Sequence, residues 1–264
     1  MKNIIGFLPS LLIFLSIGCN NSNGNNDFEG AGNAIPISTP SIVSTLPHDT
    51  SSFTEGLEFY DSTLIESGGN YGHSKLFQYD PKSGKVLKEL KLDDKYFGEG
   101  ITVLHDTLYQ LTYREKTAFL YDVKTFKKIK EIPFEVGEGW GLTNDGKNII
   151  ASTGSSNLYY FEPGTLKLLK TLNITENGAP VPNINELEYV DGYVYANQWQ
   201  YNYIVKIDPS TATVIAKLDL SAIVDTVNKE YPGAAELNGI AYSPVTKKFY
   251  VTGKHWPRTF EIQF

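Results

Sequence analysis

Glu55-Gly56-Leu57-Glu58-Phe59 is the first of five related stretches in this chain. The others are Glu99-Gly100-Ile101-Thr102-Val103, Gly139-Trp140-Gly141-Leu142-Thr143, Asn185-Glu186-Leu187-Glu188-Tyr189 and Asn238-Gly239-Ile240-Ala241-Tyr242. Each opens on a small turn of acid, Asn or Gly and runs into alternating apolar residues. With Gly56, Gly100, Gly139, Glu186 and Gly239 as markers, the intervals are 44, 39, 47 and 53. A repeat of about 40 to 50 residues, filled with strand patterns, predicts a β-propeller with one blade per copy. In that architecture the recurring turns converge on the central axis. Polar residues far apart in sequence then line one pocket.

The segments between copies support strands. After the first copy come Thr63–Ser67, Lys75–Asp80 and Lys85–Leu90, and the outermost alternates apolar residues with Lys and Glu, as a half-exposed strand does. The fifth copy is one strand short, because the chain stops after Thr259–Ile262. Ser41–Leu46, before the first copy, has the missing character. Pairing the two ends closes the ring and removes two open edges. The expected fold is therefore all-β, a five-bladed β-propeller whose last blade is closed by N- and C-terminal strands. Leu220–Tyr231 reads as a short helical insertion, capped by Ser221 and ended by Pro232.

The 264 residues are 41% hydrophobic and 13% aromatic, enough for one large β domain. A net charge of −7 argues against nucleic acid as a partner, because phosphate recognition needs a basic face. Ile4–Ile17 is an apolar run behind Lys2, short for a membrane span, and it ends at Leu15-Ser16-Ile17-Gly18-Cys19. This resembles a bacterial lipoprotein signal with Cys19 as the lipidated residue, although the Leu stands one place early; the alternatives are an ordinary secretory signal and a core Cys. Both signal readings make the protein exported, and lipidation anchors it to a bacterial membrane on the periplasmic or cell-surface side. The single Cys leaves no disulfide. The expected organisation is a signal segment at 1–19, a flexible Asn-, Ser-, Gly- and Pro-rich tether at 20–40 and the propeller at 41–264, acting as a monomer.

The four histidines, His48, His73, His105 and His255, show no metal-ligand spacing. Asp80 and Asp93-Asp94 suit a structural calcium or, more simply, charged turns. No phosphate loop or nucleophile elbow is present.

Several strings together resemble the plant and bacterial glutaminyl-peptide cyclotransferases. They are Phe53-Thr54-Glu55-Gly56-Leu57, Phe97-Gly98-Glu99-Gly100, Asn185-Glu186-Leu187-Glu188-Tyr189, Ala196-Asn197-Gln198-Trp199-Gln200, Leu237-Asn238-Gly239-Ile240-Ala241 and Thr252-Gly253-Lys254-His255-Trp256-Pro257. The resemblance runs from about Ser41 to Phe264. It implies a five-bladed propeller that converts N-terminal glutamine of peptides or proteins to pyroglutamate and releases ammonia, without a cofactor or metal. The alternatives are a non-catalytic ligand- or protein-binding propeller and a metal-dependent, lactonase-like propeller.

In such a reaction the substrate's own α-amine attacks its γ-carboxamide. The amine must lose a proton, the carbonyl oxygen gains negative charge, and the leaving nitrogen needs a proton. Glu99 is expected to carry the proton; the resemblance assigns catalysis to this position, which otherwise reads as a surface acid in a turn. Lys254, in a cramped aromatic context, is expected to stabilise the oxyanion together with Asn185. Glu186 is expected to hold the amine, although one of the Asn185–Glu186 pair could instead satisfy turn backbone. Phe53, Trp140 and Trp199 are expected to wall the pocket, with Trp256 the weaker candidate among the three tryptophans. Tyr113 stands where related enzymes place a tryptophan. Glu55 replaces the glutamine common in plant members and adds an acid to the substrate site.

Overall fold

The computed structural model describes Met1 and residues 34–264. Residues 2–19 of the expected signal segment, Cys19 among them, and residues 20–33 of the expected tether lie outside the described residues. Four of the sheets are four-stranded antiparallel blades. The first comprises Thr54–Tyr60, Thr63–Gly68, Lys75–Tyr79 and Val86–Lys91. The second spans Gly98–Leu104 to Lys128–Pro133, and the third spans Leu142–Asn144 to Leu168–Asn173. The last joins Leu237–Ser243, Lys248–Gly253 and Arg258–Gln263 to Ser41–Pro47 from the other end of the chain. Register there runs from Ser41 opposite Gln263 to Pro47 opposite Arg258.

The topology corrects the expectation of five blades. Only four sheets are regular blades; the remaining body is a seven-stranded sheet. Its meander Ile184–Val190, Tyr193–Gln198, Tyr203–Asp208 and Thr213–Asp219 is extended by Thr175–Glu176, Ala179–Pro180 and Ile37–Ser38. The physical reason is an open edge. Thr213–Asp219 presents unpaired backbone groups, and Ile37 and Thr175 pair with it in parallel, opposite Lys217 and Thr213. Ile37–Ser38, inside the stretch read as a tether, is thus a strand.

The core lies between neighbouring sheets. Leu104, Leu111 and Leu120 of the second blade pack on Leu142, Ile149 and Phe161 of the third. Leu57, Leu64 and Phe77 of the first pack on Ala241 and Tyr250 of the last. The helix forms at Ser221–Glu230 and buries Ile223, Val224 and Val227. Its cap differs from expectation. Leu220 is the N-cap and provides no side-chain bond; Asp219 Oδ1 accepts the Ser221 N–H at 2.9 Å instead.

The innermost strands approach one another closely at the axis. A Cβ on Gly100 would strike the Trp140 carbonyl and the Leu142 amide, and one on Gly141 would strike the Asn185 carbonyl. Backbone therefore packs on backbone, which only glycine permits. In the third blade the axial residue is Gly141 and not the marker Gly139, which sits against Thr112 and Leu111.

Candidate active site

Each innermost strand except that of the third blade breaks register where its polar turn lies: between Thr54 and Gly56, Gly98 and Ile101, Ile184 and Leu187, and Leu237 and Ile240. A bulge holds an extra residue and re-aims its side chain. Glu55, Glu99, Asn185 and Asn238 all occupy these positions. Three of them, Glu55, Glu99 and Asn185, line one cavity of about 210 Å³ together with Phe53, Phe97, Tyr113, Trp140, Trp199, Glu236 and Lys254. Every residue expected at the site except Glu186 and the weaker candidate Trp256 therefore meets in a single space.

The floor is polar and buried. Glu55, Glu99, Asn185 and Lys254 are 3%, 5%, 3% and 6% exposed. Lys254 Nζ lies 2.7 Å from Glu55 Oε1 and 4.3 Å above the Phe53 ring. Asn238 Nδ2 donates to Glu55 Oε2 at 3.0 Å and to the Thr54 carbonyl at 2.9 Å. The walls are aromatic and half-buried. Trp140 and Trp199 meet edge to face at 5.7 Å, as do Phe53 and Phe97 at 6.1 Å, and Tyr113 leans on Phe97 at 5.6 Å.

The sequence matches the glutamine cyclotransferase family over residues 11–264. This chain belongs to that family. It is 38% identical over 224 residues to a glutaminyl-peptide cyclotransferase of Arabidopsis thaliana, an alignment covering 84% of this chain and 70% of the relative. The crystal structure of Myxococcus xanthus glutaminyl cyclase superposes with a TM-score of 0.81 at 33% identity, covering 87% of this chain and 97% of that one. Family membership makes the protein a transferase, a glutaminyl-peptide cyclotransferase, and favours that reading over a binding propeller or a lactonase-like metal enzyme. Among the described residues no three His, Cys, Asp or Glu side chains cluster as metal ligands. Asp80 accepts from Ser83, and Asp94 pairs with Lys91 at 2.9 Å, so these acids serve turns and a surface pair.

The electrostatics of this cavity follow from burial. Desolvation pushes the Glu99 carboxyl well above its ordinary range, and the charge of Glu55 pushes it further, against the pull of Lys254. Among the described residues it has no hydrogen-bond partner. Glu55 is pushed up to about 7 by desolvation, with Lys254 opposing. Asn185 Oδ1 is buried without a partner, as are Asn238 Oδ1 and Asn197 Nδ2. An unsatisfied buried acceptor is rare, and one facing a cavity suits a ligand donor.

Glu186 is placed elsewhere. It is fully buried, and its carboxylate accepts the Leu57 N–H at 3.1 Å and the Ile240 N–H at 2.8 Å, tying two inner strands across the axis. Burial pushes it well above the ordinary range, as it does the neighbouring Glu188, while Glu58 is pushed up to about 8. Trp256 is core: it is fully buried, donates Nε1–H to the Ala235 carbonyl at 3.0 Å and meets Phe260 edge to face.

Two wall residues had not been singled out, Phe97 and Glu236. Their signal was positional. Phe53 precedes Gly56 by three places, Phe97 precedes Gly100 by three, and Glu236 precedes Gly239 by three. A second group sequence reasoning missed lies behind the wall. Glu66, with no exposure, accepts from Ser52, from Thr54 at 2.7 Å and from His48 Nε2 at 3.0 Å. Ser52 and Thr54 flank Phe53. His48 Nδ1 lies 2.7 Å from the Trp256 carbonyl, and the His255 N–H donates to the Ser52 carbonyl at 2.8 Å. One buried acid thus braces both the strand carrying Glu55 and the turn carrying Lys254.

Proposed function

We propose that this cavity closes the N-terminal glutamine of a peptide or protein into pyroglutamate, with Glu99 as the proton carrier. The substrate's α-nitrogen attacks the side-chain carbonyl carbon. A new C–N bond forms, the bond to the amide nitrogen breaks, and ammonia leaves. A proton must travel from the attacking to the leaving nitrogen. Glu99 is suited to this because burial strengthens its hold on a proton, so its carboxyl can take the proton from the attacking nitrogen and return it to the leaving one. Lys254 has three N–H donors and gives one to Glu55, leaving others for the developing oxyanion. Asn185 offers its unpartnered Oδ1 to a substrate N–H. Phe53, Tyr113, Trp140 and Trp199 wall the folded-back side chain and so hold the two reacting groups of this intramolecular step in place. Glu186 supports this arrangement by bracing inner strands.

The observation that carries the reading is the meeting of Glu99 and Asn185, from two separate sheets, with Lys254, from the turn after Lys248–Gly253, in one aromatic-walled cavity. The test is ammonia release from a Gln-initiated dipeptide by the purified protein and by Lys254→Met. Wild-type turnover with a drop on the order of 100-fold or more in the variant is expected; unchanged turnover would remove Lys254 from the mechanism. The N-terminal pattern supports export and lipid anchoring through Cys19. Cys19→Ala should then move the protein from the membrane to the soluble fraction, and an unaltered distribution would contradict the anchor.

A further inference from the structure

Glu236 is the wall acid that the chemistry leaves unused. Its backbone is fixed beside Lys254: the Lys254 N–H donates to the Glu236 carbonyl at 2.9 Å, and the Ala235 N–H donates to the Lys254 carbonyl at 2.8 Å. Its side chain faces the same cavity and stands close enough to Glu55 to raise that carboxyl. It is half-buried, whereas Glu55 and Glu99 are fully buried. Glu236 is thus the lining acid most open to solvent, and the peptide chain after the glutamine must leave toward solvent. Two acids outside the lining whose charge reaches Glu99 are already engaged. Glu138 accepts from Arg114 Nε at 2.8 Å, and Glu115 accepts from the Tyr71 hydroxyl at 2.7 Å. Among the described residues Glu236 has no ion-pair or side-chain hydrogen-bond partner.

A carboxylate held in place, partly desolvated and without a counter-charge attracts a cation and repels an anion. We propose that Glu236 selects the residue that follows the N-terminal glutamine, favouring a cationic side chain and disfavouring an anionic one. This rests on the cyclotransferase reading. It deepens that reading, because the floor residues treat every N-terminal glutamine alike and only the part of the wall open to solvent meets the next side chain.

The test compares kcat/KM for Gln-Lys-amide, Gln-Ala-amide and Gln-Glu-amide, followed by ammonia release at pH 7. The wild type should prefer the lysine substrate over the glutamate substrate by about tenfold, the size of one partly screened charge pair acting twice with opposite sign. The difference should reside in KM and shrink at 1 M salt. Glu236→Gln should bring the ratio close to unity, and Glu236→Lys should reverse the order. Equal wild-type rates on all three substrates, or an order that survives Glu236→Lys, would overturn the selection while leaving the activity standing. Absence of wild-type turnover on Gln-Ala-amide would overturn the activity and the selection together.

Discussion

Glu66→Gln tests whether the site depends on the buried brace behind it. The side chain has no exposure and accepts from Ser52, Thr54 and His48. Burial resists its charge, yet the attraction of His48 and these hydrogen bonds hold the carboxyl below its ordinary range. His48 is raised in turn by Glu66 although burial opposes it. Glutamine keeps the shape and one acceptor oxygen but removes the charge, leaving His48 without its counter-ion. Removing one partner of a buried ion pair costs about 3–5 kcal/mol. For a domain of this size each kcal/mol is worth roughly 2–4 °C, so the melting temperature should fall by about 6–20 °C. Differential scanning calorimetry measures this directly. Adding His48→Gln should cost much less than the sum of the two single changes, because the uncompensated partner is then gone. A fall of less than about 2 °C in Glu66→Gln, or full additivity in the double variant, would refute the ion-pair brace.

Stability should be greatest on the acid side. Glu55, Glu58, Glu99, Glu186 and Glu188 all bind protons more tightly when folded than their ordinary value of 4.5. The folded state then holds more protons than the unfolded chain from about pH 4.5 upward, and stability falls as pH rises through 7 and 8. His48, raised from 6.5, adds to that fall at higher pH, while Glu66, lowered from 4.5, stabilises above that value and loses its contribution as pH falls below it. Thermal melts from pH 5 to 8.5 should show a decline of at least about 5 °C; a flat or rising curve would contradict the buried acids. Gly141→Ala should destabilise by about 1–3 kcal/mol, because its Cβ meets the Asn185 carbonyl and backbone cannot step aside as a side chain can. Urea unfolding that finds no loss would show that the inner strands are less tightly packed at the axis than described.

The propeller was legible because the turn and strand pattern recurs every 39 to 53 residues, and the pairing of Ser41–Leu46 with the final strand followed from a missing outer strand. The count of blades was not. Ile37–Ser38 and Thr175–Glu176 are too short to show any period, yet they join the edge that makes a seven-stranded body. In the Gly139-Trp140-Gly141 stretch two glycines compete as the axial one, and only packing against Asn185 decides for Gly141. Of the neighbours Asn185 and Glu186, composition suggested two polar groups at one site. The bulge sends the first toward the cavity and the second onto backbone amides. That division depends on local backbone geometry, which residue types do not encode singly. Glu236 was legible in principle through its three-residue offset from Gly239, but its residue type differs from the Phe at the matching positions.

The central claim is that Glu99 carries the proton between the two nitrogens of the substrate. Single-turnover and steady-state ammonia release from a Gln-initiated peptide, compared between the wild type and Glu99→Gln, measures it most directly. The account predicts a kcat lower by on the order of 100-fold or more in a variant that folds with an unchanged circular dichroism spectrum. A kcat within about threefold of the wild type would contradict it.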